Sequence, residues 1–289
     1  IGNGGNRTFN VIIFDSNLDN LIASKTIVTT TTEYGSPTDI RVASDGQYLY
    51  AFYETHKTTS QTTAINYLWG AKYTLDDSFT RVAYKSIPIT SSKPMSELQD
   101  GGELVDDPAP LIGPNSVFVI TRLKYSLSMA GRTVYRVREF NKDNLTKLSE
   151  LDLDLSSVAD GRGRLTSLLY LNNNIYMAIA TTVSDQGLSE GTDDSAMSDI
   201  ITVKMQQNWT FDPQKDVQTI SAEPNDIENY ITGFKADNIY FYITHKQATG
   251  SPPTGEQIAW IKFFDKDFRL VLKEKVKSVT WGPGGGEIR

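Results

Sequence analysis

The 289-residue chain is 39% hydrophobic and 10% aromatic, enough for a substantial core and too much for a disordered protein. Twenty-eight basic against 35 acidic residues give a net charge of −7 and no basic cluster, so nucleic acid is not an expected partner. The absence of cysteine excludes disulfides, thiolate metal sites and a cysteine nucleophile, and no apolar run approaches the roughly 18 residues of a membrane span. Ile rather than Met stands first, which reads as a removed signal or a fragment and suggests a secreted or periplasmic protein.

Taken in chain order, the predicted elements repeat. One hairpin, a strand, a polar turn ending on a large apolar residue and a second strand, begins at Asn10, Tyr67, Val134, Ile201 and Ala259. Its turns carry Leu18, Phe79, Leu145, Trp209 and Phe268, spaced 61, 66, 64 and 59 residues apart. A second hairpin lies between successive copies, starting at Thr38, Ala109, Arg164 and Tyr230, with a turn of Gly, Asn, Asp or Ser followed by an apolar strand. Tyr50, Phe118, Tyr176 and Tyr240 take matching places in that strand.

Each period therefore holds four antiparallel strands, a, b, c and d. Repeated about every 60 residues, such a unit describes the blades of a propeller. The fold expected is all-β: a five-bladed β-propeller in a single domain over residues 1–289, with c–d hairpins near 9–28, 64–87, 133–153, 199–220 and 257–278. Only four a–b hairpins accompany the five c–d hairpins, and five blades at this period need roughly 310 residues. The fifth blade is therefore incomplete or closed by the two termini, and truncation at Arg289 is the simpler account. A sandwich predicts no uniform four-strand period, and no 3.6-residue apolar pattern supports a helical domain.

Strand order also sorts the connections. The a–b and c–d turns fall at one end of the blades and are short. The b–c and d–a loops fall at the other and are long, at 55–63, 88–107, 124–132, 182–199, 222–228, 245–257 and 280–286. Long loops gathered on one face of a rigid scaffold are where binding and catalysis concentrate. Polar residues near the start of each a strand line that face: Asp39, Asp106 and Asp107, Asp160 with Arg162 and Arg164, Asp226 with Glu228, and Glu287 with Arg289. Paired carboxylates suit glycoside hydrolysis, one as acid and one as base or nucleophile, and arginines among them bind an anionic group or hold a carboxyl ionised.

In blade number and in acidic residues opening the a strands, notably Asp106-Asp107-Pro108, the chain resembles the five-bladed propeller glycosidases of glycoside hydrolase family 43, the arabinanase and xylosidase-like group, and more loosely the sialidase-like propellers. The resemblance implies Asp39 as base, Asp107 as the carboxylate that tunes a pKa and Glu228 as acid, although the family's Glu comes one blade earlier, where this chain has Asp160, Arg162 and Arg164. Neither the family's N-terminal Asp-Pro nor the repeated Asp-box of sialidases is present.

The two histidines, His56 and His245, share the tripeptide Thr-His-Lys at the end of a b strand. Repeat ancestry accounts for the match; a ligand-binding role at the elaborated face is the sharper reading. With Arg162, Arg164 and Glu287 they complete the ligand-binding candidates. The segment 187–199 gathers Glu190, Asp193, Asp194 and Asp199, but EF-hand spacing is not met, so it reads as an acidic loop. No metal site and no cofactor is expected, Ca2+ being the weak exception. Two readings stay open: a glycan-active hydrolase, and a non-catalytic propeller that binds a glycan or a protein. The expected partner is a carbohydrate or other small polar ligand, and the chain is expected to be monomeric.

Overall fold

A computed structural model describes residues 8–14, 17, 19, 21–29, 36–58, 63–76, 78–88, 93–94, 106–123, 134–158, 160–182, 199–206, 208–221, 226–237, 240–249 and 256–280. Nineteen strands and one short helix occur among them. β1 (Thr8–Phe14) and β2 (Leu21–Thr29) form a two-stranded antiparallel sheet. β3 (Ser36–Ser44), β4 (Tyr48–Thr58), β5 (Thr63–Thr74) and β6 (Arg81–Pro88) follow as a meander, with the two-residue β7 (Lys93–Pro94) also paired to β5. The next sheet runs β8 (Asp106–Ile112), β9 (Ser116–Leu123), β10 (Val134–Asn141), β11 (Lys147–Asp154). Then come β12 (Asp160–Leu171), β13 (Asn174–Thr182), β14 (Asp199–Gln206), β15 (Val217–Ser221), and last β16 (Asp226–Ala236), β17 (Phe241–Thr249), β18 (Glu256–Phe264), β19 (Leu270–Thr280).

Five antiparallel sheets thus follow one another, each a run of consecutive strands, and the two-stranded sheet is a c–d pair. This is the all-β, four-strand blade architecture of a five-bladed propeller that the repeat predicts. We number the four complete blades 1 to 4. Glu287 and Arg289, placed from sequence near the start of a fifth a strand, lie outside the described residues.

The chain divides into two compact units, Ile1–Ala130 with Val134–Asp152, and Leu153–Arg289 with Gly131–Thr133. In each, successive sheets pack face to face through aromatic side chains. In the first unit, Ala51, Tyr53, Trp69, Tyr73 and Phe79 pack against Ile27 of β2, while Tyr50 and Phe52, pointing the other way along β4, pack with Val117, Val119 and Phe140 of the next sheet. In the second, Tyr176 and Ala178 meet Phe234, Phe241, Ile243, Phe264 and Phe268. The b strands β4, β9 and β13 carry near-continuous buried apolar runs rather than alternation, as strands covered on both faces do.

The apolar turn residues that mark the period have a backbone reason for their place. Phe79, Leu145, Trp209 and Phe268 all lie in the left-handed region, at φ of 41°, 58°, 60° and 60°, which non-glycine residues seldom adopt. Each turn is tied by a side-chain oxygen. Asp76 Oδ1 accepts from the Ser78 and Phe79 amides, Asn141 Oδ1 from the Asp143 and Asn144 amides, Asn208 Oδ1 from the Thr210 amide and hydroxyl, and Asp265 Oδ1 from the Asp267 and Arg269 amides. Burial of the ring or isobutyl group offsets the strain: Phe79 and Leu145 are 1% exposed and Phe268 8%. Leu18 lies outside the described residues.

Two details depart from the sequence reading. The blade-3 turn contains one helical turn, α1 (Pro213–Asp216), started by Asp212, whose side chain accepts from the Gln214 amide, with Pro213 opening the helix. Tyr240 is not the counterpart of Tyr50 but of Tyr48: it precedes β17, and its amide donates to Asp237 Oδ1 as the Tyr48 amide donates to Asp45 Oδ1. The sequence alignment is two residues out there because a turn's length is set by its hydrogen bonds, not by its apolar pattern.

Candidate active site at the bulged starts of the a strands

All four a strands share a bulge at one register position, at residues 39–40, 107–108, 166 and 232. In β3 the register passes from Thr38↔Glu54 to Arg41↔Phe52, leaving Asp39 and Ile40 opposite a single residue of β4. In β8 it passes from Asp106↔Arg122 to Ala109↔Ile120, so Asp107 and Pro108 form the equivalent bulge. In β12 the shared bulge lies between Leu165↔Ile179 and Ser167↔Ala178, and a further break between Asp160↔Thr182 and Arg164↔Ala180 contains Arg162. In β16 the shared bulge lies between Ile231↔His245 and Gly233↔Thr244, and a further break lies between Asp226↔Thr249 and Glu228↔Ala248, with Glu228 resuming the ladder. A bulge adds a residue, sharpens the twist and re-aims side chains, and such bulges gather at strand ends beside functional sites. Proline at position 108 suits a bulged position, where no ladder amide is required.

The backbone therefore places Asp39, Asp107, Arg162, Arg164 and Glu228 at or beside bulges in the strands where the sequence sets them; their side chains lie outside the described residues. His56 falls on β4 opposite Ser36, its side chain likewise outside that set, and Glu287 is not among the described residues at all. Within the first unit β3 lies against β8, so the bulges holding Asp39 and Asp107 belong to adjoining a strands; within the second, β12 lies against β16 in the same way.

Glu54 is the residue that the sequence reading missed. It stands opposite Thr38, next to the Asp39 bulge, and is only 5% exposed. The one signal was a lone acid inside the otherwise apolar run of β4. Its neighbour Thr55, 2% exposed, accepts a 2.8 Å hydrogen bond from Trp69 Nε1, which fixes the ring of that core tryptophan. Across the next sheet Arg122 faces Asp106 in the ladder, a cation one strand from the candidate carboxylates.

His245 sits on β17 between Ile231 and Trp260, at the second bulge of β16. It is 2% exposed, and neither ring nitrogen has a hydrogen-bond partner. Burial, with lesser contributions from the Lys262 and Lys273 charges, holds its pKa down at about 3, so the imidazole is neutral at physiological pH. Gly233 lies on the same bulge, where a Cβ would come 2.8 Å from Thr244 Oγ1.

The opposite end of the blades is tied together by side chains. Lys25 Nζ donates to Phe79 O at 2.8 Å, Lys142 pairs with Asp45 at 3.0 Å, and Gln218 Nε2 donates to Asp267 O at 3.0 Å. Among the described residues no group of three or more His, Cys, Asp or Glu is placed to hold a metal ion, and no helix is long and apolar enough to cross a membrane.

Neither a protein-family model nor a curated protein sequence matches the chain. Among solved structures it is similar to an endo-arabinase from Bacteroides thetaiotaomicron (10% identity, 83% of this chain and 80% of that chain, TM-score 0.43) and to an exo-1,5-α-L-arabinanase from a bovine ruminal metagenomic library (12% identity, 83% and 79%, TM-score 0.41). It is also similar to a Bombyx mori glycoside hydrolase family 32 β-fructofuranosidase solved with sucrose (11% identity, 84% and 53%, TM-score 0.41). At such values the likenesses say nothing of this chain's activity, which has to be argued from its own residues.

Proposed function

We propose that the chain binds a glycan at the end of its blades where the a strands begin, and acts on it through carboxylates presented by the bulges. The observation that carries this reading is that Asp39 and Asp107 occupy the same bulge on adjoining a strands of one unit, with Arg162 and Glu228 at or beside further bulges nearer the starts of β12 and β16. A repeat needs no bulge at that point for stability, since every extra residue leaves a ladder position unpaired.

In the hydrolytic form of the proposal, one carboxyl group protonates the departing glycosidic oxygen while another, ionised, activates water or attacks the anomeric carbon. Asp39 is the base, and Asp107 tunes a neighbouring pKa. Glu228 is the acid candidate. An extracellular setting and a monomeric protein belong to the same proposal.

A glycan array combined with a chromogenic glycoside panel tests it, on the wild type and on Asp39→Asn, Asp107→Asn and Glu228→Gln. Loss of turnover by at least about 100-fold with retained glycan binding supports hydrolysis. Binding without turnover in the wild type supports the non-catalytic form, in which the same residues are hydrogen-bonding contacts. No binding and no turnover on any glycan removes the glycan reading.

A further inference from the structure

A second site lies away from the bulges, within the second unit and independent of the glycan reading. Thr202 on β14 is 1% exposed, yet its Oγ1 has no hydrogen-bond partner. An unpaired buried hydroxyl is costly, and most such groups in native proteins are satisfied by some partner. Thr202 lines a cleft of about 420 Å3 between blade 3 and the β18–β19 turn of blade 4, the size of a small-molecule pocket.

The cleft is basic in an acidic protein. Lys204, two residues along β14 and so on the same face as Thr202, lines it with Lys215 of α1 and with Lys266 and Arg269 of the blade-4 turn. Two acids also line it. Asp216 is engaged, its Oδ2 accepting the Asp212 amide at 2.8 Å. Asp267 is exposed, and its backbone oxygen takes Gln218 Nε2 at 3.0 Å, which fixes the two walls against each other. Lys215 is held by Asp212 at 2.8 Å, and Lys266 is held by Asp237 O at 2.6 Å and over the Phe241 ring at 5.0 Å. Lys204 and Arg269 form no ion pair among the described residues, and four cations against two carboxylates leave the lining net positive.

The geometry points to a binding site for a small molecule bearing a tetrahedral oxyanion, a phosphate or sulfate group. Lys204 and Arg269 supply the charge, the Thr202 hydroxyl donates to an anion oxygen, and Phe268 forms an apolar wall for the body of the molecule. An oxyanion accepts several such donors at once, and the guanidinium fork suits it.

Titration of the 289-residue chain with inorganic phosphate and, separately, with inorganic sulfate, followed by amide chemical shifts, tests the assignment. Saturable, salt-sensitive binding is expected, with the shifted amides on β14 and the β18–β19 turn, and the preferred anion identifies the ester. Lys204→Met and Arg269→Met should each weaken it about tenfold. Thr202→Val should weaken it several-fold while leaving thermal stability equal or higher, because removing an orphaned hydroxyl relieves its desolvation penalty. No saturable binding of either anion, or binding that all three variants leave unchanged, overturns the site. Because none of these residues is among the carboxylates proposed for the glycan, failure here leaves the glycan assays to stand or fall by themselves.

Discussion

His245 carries two unpaired ring nitrogens in a setting that keeps it neutral, and this couples stability to pH. In the unfolded chain the imidazole titrates near 6.5 and in the folded chain at about 3. Between those values the unfolded state holds more protons, so stability is fully present above about pH 6.5 and falls as the pH drops towards 3, by up to about 1.4 kcal/mol per unit. Asp45 adds to acid lability only lower down. Burial alone would raise its pKa, but the Tyr48 and Gln47 amides and Lys142 together hold it at about 2. Urea unfolding across pH 4–7 should show the slope in the wild type and a flatter one in His245→Leu. An equal slope in that variant would place the proton uptake elsewhere. The sequence showed His245 as half of a repeated Thr-His-Lys, but burial depends on what the neighbouring strands bring and leaves no mark in a tripeptide. Glu54 escaped notice for the converse reason: its place beside the Asp39 bulge exists only once β3 and β4 are in register.

Turns and strands explain which parts of each blade tolerate change. Leu145 is buried at 1% exposure with φ 58°, so it holds a strained backbone conformation for the sake of its side chain. Leu145→Ala keeps the strain and loses the packing, and should cost about 2–5 kcal/mol in denaturant unfolding. Leu145→Gly loses slightly more packing but relieves about 1 kcal/mol of strain, so it should be no worse than Ala. A glycine variant clearly less stable than the alanine one would contradict the turn's role. On β5, Gly70 is a site of close approach: an added Cβ would lie 2.8 Å from Cε1 of the buried Phe52 ring, which itself packs 5.5 Å from Phe140. Gly70→Ala should therefore destabilise by roughly 1–3 kcal/mol, measurable as a lowered denaturation midpoint. The apolar turn residues were legible as a period, since spacing survives divergence better than detail. The bulges were not, because an extra residue in a ladder is a property of two strands.

Across the whole chain, the four-strand period was readable because every blade repeats the same solution: an apolar b strand inside the sheet and c–d turns tied by Asp or Asn. The function was less legible. Carboxylates at strand starts are also what solvated loops of an acidic chain display, and only the equivalent bulges of Asp39 and Asp107 set those two apart. Asp39 and Asp107, on adjoining a strands, are the residues proposed to serve a glycan. The direct measurement is glycan binding and glycoside turnover for wild type, Asp39→Asn and Asp107→Asn side by side, with Glu274→Gln, exposed on β19, as control. The two aspartate substitutions should abolish turnover or weaken binding by at least about tenfold while the control matches wild type. Equal activity in all four proteins would contradict that role.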